Sequence, residues 1–179
     1  GVSLIPSLAF ARQSEPEIPS LVDGVTVVAA DLTQPRGFLV GSNGQLVIAL
    51  AGSGGPNRGS GLLPDSPLSG GSTASIVLVD AGCETELATS LPSSTSALSR
   101  TWGVTDLAVV DTQLYALVAG GGAAYGNRDD PSGVYLVHSN GAVTLVADLS
   151  EWQRANPVAA PPTLDRVLDG IPFSMATIN

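Results

Sequence analysis

Few residues in this chain have the types and spacing for chemistry. Seven arginines and no lysine face sixteen Asp and Glu, and there is one histidine, His138, and one cysteine, Cys83. A lone cysteine excludes an intrachain disulfide and a cysteine-cluster metal site, and Cys83 reads as an inert small side chain. Asp129-Asp130 ahead of Pro131 lacks the spaced ligands of a calcium loop and reads as a solvated turn. The Gly-rich "GSGGPNRGSG" from Gly52 is not followed by a lysine at Walker spacing, so it reads as a flexible loop rather than a phosphate cradle. What remains is a set of arginines and aromatics, Arg36, Arg58, Arg100, Arg128, Arg154 and Arg166 with Trp102, Tyr125 and Trp152, together with Asp106. Cations and aromatics gathered together in an acidic protein suit the recognition of a polar or anionic small molecule. That chemistry is recognition, and it depends on which elements bring these residues together.

Composition bounds those elements. The formal charge of −9 leaves no basic surface for phosphate backbones or anionic membranes, so nucleic acid and membrane insertion are excluded as expected partners. The apolar residues are Ala, Val and Leu rather than aromatics, with 21 Gly and 13 Pro, which suits short strands joined by turns. No apolar run is long enough to form a bilayer-spanning helix. The opening "GVSLIPSLAFARQSEPEIPS" passes from apolar to polar and Pro-rich after Ala9-Phe10-Ala11, a small-x-small pattern. Residues 1–24 are therefore expected to be the tail of a secretory signal and a linker, which implies an extracellular or periplasmic protein.

The positioning elements repeat. "VTVVAADL", "ETELATSL" and "AVTLVADL" end at Leu32, Leu91 and Leu149, spaced by 59 and then 58 residues. "GQLVIALAGSGG" from Gly44 returns as "TQLYALVAGGG" from Thr112, and "ASIVLVDAG" from Ala74 returns as "SGVYLVHSNG" from Ser132. Each period holds four short β-type runs. The first has 37–40, 45–51, 75–79 and 85–91; the second has 104–110, 113–119, 133–137 and 142–149. Four antiparallel strands at a fixed period predict a β-propeller, whose blades bury their faces only by stacking. The expected fold is all-β, in one domain over 25–179: blade one at 37–91, blade two at 104–149 and the start of blade three at 172–178. Residues 25–32 would be a closing strand of another blade, left without its own partner. Propellers use about four to eight blades, so the remaining blades of a longer chain are expected partners. The other fold open to the pattern is an eight-stranded β-sandwich.

Several of these stretches, "LTQPRGFLV", "GQLVIALAGSGG", "SLPS", "GVTDLAV" and "VADLSEWQRANP", together resemble the ScyD/ScyE family of bacteria, exported propeller-like proteins named for a scytonemin biosynthesis cluster. The resemblance runs from Val25 to the C-terminus. It departs from the family where "GIPFS" stands in place of an Asn-Pro and where a cysteine pair is missing. It implies an exported propeller and brings no catalytic residues with it.

In such a meander, short and long links fall on opposite faces. "GSNG" at Gly41, "DAGC" at Asp80, "DT" at Asp111 and "HSNG" at His138 are short; 52–73, 92–103, 120–131 and 150–171 are long. The six arginines and the aromatics fall in or beside the long links, whereas His138 falls on the short-turn side, away from any triad or general-base role there. Loops on a rigid scaffold collect binding residues, though polar residues also belong in loops for solvation. The expected ligand-binding residues are Arg36, Arg58, Asp106, Arg128 and Trp102. The expected function is non-catalytic binding of a small polar ligand or an extracellular protein, without cofactor or metal. The alternative is a propeller hydrolase or lactonase with a divalent metal in an axial channel. In that reading Asp106 is the one suitable carboxylate at the start of an inner strand, and Arg36 occupies its counterpart. "LSEWQRAN" predicts a short helical turn before "NP".

Overall fold

The computed structural model describes residues 24–41, 43–60, 68–157 and 170–178. Of the expected signal tail and linker at 1–24, residues 1–23 lie outside them. The fold is all-β with antiparallel sheets and one short helix. In the first sheet, β1 (Pro35–Val40), β2 (Leu46–Leu50), β4 (Ser69–Asp80) and β5 (Cys83–Thr95) follow one another as a meander. The short strand β3 (Asn57–Arg58) pairs with β4, and β6 (Thr101–Trp102) pairs with β5. The second sheet is a four-stranded meander of β7 (Val104–Val110), β8 (Gln113–Val118), β9 (Gly133–Val137) and β10 (Val143–Asp148). Helix α1 (Leu149–Ala155) follows, capped by the Asp148 carboxylate, which accepts from the Glu151 N–H at 2.7 Å.

Tight turns set the strand order. The turns after β1 and after β9 are bonded alike. Gly41 N donates to Gln45 O and Gly44 N to Gly41 O, just as His138 N donates to Ala142 O and Gly141 N to His138 O. Gly44 and Gly141 have φ of 82° and 83°, the left-handed region that glycine enters without steric penalty. Alternation then divides each sheet into two faces. Ala49, Ala74, Ile76, Ala88 and Leu91 of the first sheet meet Val104, Leu107, Ala116, Val118, Tyr135 and Val137 of the second in one buried core. β1 lies beside β7, so close that a Cβ on Gly37 would stand 2.5 Å from Asp106 Oδ1.

The opposite face of the first sheet carries a smaller cluster of Ile48, Leu50, Val77 and Val79. It is covered in part by Ala29 and Leu32. Residues 25–32 thus pack on this face without forming a strand, and they do not pair with β5. At the other end of the chain, 172–178 is a segment outside the sheets. It is held to β7 by side chains: Thr105 Oγ1 donates to Pro172 O at 3.1 Å, and Asp106 Oδ2 accepts from Met175 N at 2.9 Å.

Two expectations change in detail. β4 and β5 run past the repeat, to 69–74 and 92–95, and irregular register between Gly71 and Val77 lets this long hairpin curl. The first part of the Gly-rich segment is also not a loose loop. Gly52 and Gly54 are buried, and the N–H groups of Gly55, Gly59 and Ser60 are bonded to Ser69 O, Leu68 O and Ala123 O. Glycine fits there because backbone packs on backbone: a Cβ on Gly55 would stand 2.7 Å from Gly71 Cα.

Candidate functional site

The long links divide into two physical roles. One set knits the sheets. Asn127, buried in the β8–β9 link, donates from Nδ2 to Ser93 O at 2.8 Å and to Gly120 O at 2.7 Å. Ser94 Oγ donates to Tyr125 O at 3.0 Å. Ser93 Oγ donates to Ala51 O at 2.6 Å and accepts from Gly54 N at 2.9 Å. Small residues and hydroxyls thereby satisfy buried backbone groups where the loops cross, as a dry interface requires. Loops that sequence alone presents as exposed binding surface are, over this region, interior.

The other set lines a cavity of 620 Å³ at the start of the inner strands. Arg36 and Gly37 of β1, Arg100, Trp102 of β6, Thr105 of β7 and Phe173 form its wall. The segment carrying Arg100 is held by its own turn: Ser96 N donates to Arg100 O at 2.9 Å, and Arg100 N donates to Ser96 Oγ at 3.2 Å. Arg36 is oriented by one bond, Nη2 to Thr101 O at 2.9 Å, which leaves its other N–H groups for a ligand. Trp102 is braced by Tyr125, edge to face, with centroids 5.7 Å apart and planes at 61°. The one ion pair among the described residues is Arg154 with Glu151 on α1, so neither Arg36 nor Arg100 is matched by a described carboxylate.

Of the residues expected to bind, the structure brings Arg36 and Trp102 together in this cavity. Arg58 lies exposed on β3, and Arg128 lies exposed after Asn127; neither lines it. Asp106 borders the cavity through its neighbour Thr105, but its carboxylate is already used. Oδ1 accepts from Leu107 N at 2.9 Å, and Oδ2 accepts from Met175 N. These two bonds fix the carboxylate in place and tie 172–178 to β7. Among the described residues no cluster of three His, Cys, Asp or Glu is placed to hold a metal. His138 is bonded to Thr144 Oγ1 at 2.8 Å on the short-turn side.

Arg100, Thr105 and Phe173 were not among the expected site residues. Arg100 carried a usable signal, since it precedes Trp102 in the same link. Phe173 carried none, because its place depends on the docking of 172–178 against β7. The geometry defines an all-β protein whose stacked antiparallel meanders hold a cavity with a cationic and aromatic wall. No protein-family model, curated protein or solved structure matches the chain.

Proposed function

We propose that this chain is a non-catalytic binding module, built as part of an exported β-propeller of the ScyD/ScyE kind, that takes a small anionic ligand on its long-link face. The observation that carries the binding reading is the pair of unmatched guanidinium groups, Arg36 and Arg100, on one cavity wall in a protein of charge −9. Cations gathered in a concave, partly apolar site are the common form of a small-anion pocket. The propeller reading is supported by the packing of successive first strands: β1 lies beside β7, and 172–178 is bonded to β7 through Thr105 and Asp106. Further sheets of the same pattern would cover the two outer faces. Export rests on the sequence of 1–24.

Thermal-shift measurements against a panel of small carboxylates, sulfate and phosphate test the binding reading. Stabilisation by at least one anion should be present in the wild type and lost in Arg36→Gln and Arg100→Gln. An equal response in all three proteins would overturn it.

A further inference from the structure

We infer that the cavity between β1, β6 and 172–173 selects one ligand class: a carboxylate carried on a planar aromatic body. The inference rests on the anion-binding reading above and adds the body to the charge. Size leaves room for more than a bare ion, because 620 Å³ falls in the range of about 300–1,000 Å³ that pockets for organic ligands occupy. Part of the cavity's lining is ring and hydrocarbon. Trp102 is half-buried and fixed by Tyr125, Phe173 is 72% exposed at the rim, and Ile171 adds aliphatic surface. An exposed phenylalanine beside a braced tryptophan offers an apolar body something to bury, and flat rings meet such walls in offset or edge-on contact.

The cations restrict the other end. Arg36 is pre-aimed by its bond to Thr101 O, and a guanidinium fork pairs two-to-two with a carboxylate and also stacks on rings. Each further negative charge on the ligand works against the field of a protein carrying −9. One carboxylate is therefore favoured over a dianion, and a planar apolar body over a sugar-like one.

Calorimetric titration of the protein with 2-naphthoate, 2-naphthamide and sulfate decides this. The expected result is saturable one-to-one binding of 2-naphthoate, with the amide and sulfate each at least about ten-fold weaker. Arg36→Gln or Arg100→Gln should lower 2-naphthoate affinity by about ten-fold or more while the melting temperature stays put. Trp102→Leu should weaken 2-naphthoate and leave any sulfate binding unchanged. If sulfate binds as tightly as 2-naphthoate and both are lost in Arg36→Gln, the anion site stands and the aromatic class is overturned. If the amide binds as well as the acid, the carboxylate is not recognised and the inference fails. If no probe binds, or if the arginine variants bind as the wild type does, this cavity is not the ligand site and both readings fall.

Discussion

Gly37→Ala tests the contact on which both the sheet stack and the cavity depend. A Cβ at this position would lie 2.5 Å from Asp106 Oδ1, 2.9 Å from Asp106 Cα and 3.0 Å from Thr105 O. Two of those three atoms are backbone, so no side-chain rotation relieves the overlap, and β1 and β7 must part. Overpacking of this kind costs about 1–3 kcal/mol. Gly37 does not have a positive φ, so alanine also gains about 0.4–1 kcal/mol by restricting the unfolded chain. The net expectation is a loss of about 1–2 kcal/mol, or roughly 2–8 °C in melting temperature for a chain of this size. Gly41→Ala at the far end of the same strand is the control. Its nearest neighbour would be the Asn43 Oδ1 side-chain atom at 3.2 Å, which can swing away, so that variant should be neutral or slightly stabilised. Urea unfolding followed by far-ultraviolet circular dichroism gives both numbers. If Gly37→Ala proved as stable as Gly41→Ala, the close approach of β1 to β7 described here would be wrong.

Asn127→Ala leaves Ser93 O and Gly120 O buried without that donor and should cost about 2–3 kcal/mol in the same assay, whereas exposed Asn57→Ala should fall within about 0.5 kcal/mol of wild type. Asp106→Ala removes the acceptor that holds Met175 N, so amide hydrogen exchange across 172–178 should accelerate by at least about ten-fold; unchanged exchange would show that this carboxylate does not hold the segment. The Tyr135 hydroxyl donates to Pro131 O at 2.7 Å, and burial, followed by the charges of Asp130 and Asp148, raises its pKa. A raised phenol pKa stabilises the fold fully below the unfolded value of about 10 and loses that contribution as pH climbs from there toward the folded value. Stability should therefore fall above about pH 10, and Tyr135→Phe should flatten the fall; identical alkaline profiles would contradict the assignment.

The repeated strands were legible because alternation and turn chemistry act locally. "LVIAL" and "QLYALV" place small and branched apolar residues on alternating faces, and Asn-Gly turns fix the register. The ends of β4 and β5 were not legible. "SGGST" and "PSST" have poor strand propensity, and they form strand because loop glycines and serine hydroxyls from distant links pack on them. The same non-local cause hid Asn127, whose side chain reads as turn-forming in "YGNRDD" until Ser93 is placed beside it. That Arg36 and Trp102 line one cavity was legible because both stand just before or at the start of strands that lie side by side, β1 and β7. Arg58 and Arg128 share an "NR" dipeptide in matching links, and nothing in their spacing shows that they lie outside the cavity's lining.

The same face must both join the sheets and leave a hollow, and the residue types show how the two demands are separated. Where the links cross, glycine and serine let backbone approach backbone, so bulk is excluded and every buried carbonyl needs a local donor such as Ser93 Oγ, Ser94 Oγ or Asn127 Nδ2. Closer to the inner strands the residues become large: Arg36, Arg100, Trp102 and Phe173 hold the walls apart. A substitution in the first region acts by forcing sheets apart or stranding a carbonyl, and so changes stability. A substitution such as Arg36→Gln in the second removes one bond to Thr101 O from an exposed side chain, and so should change binding with little change in stability. Gly37 lies at the boundary, lining the cavity while touching Asp106. Its alanine variant should therefore lose stability and ligand affinity together, which neither Asn127→Ala nor Arg36→Gln should do.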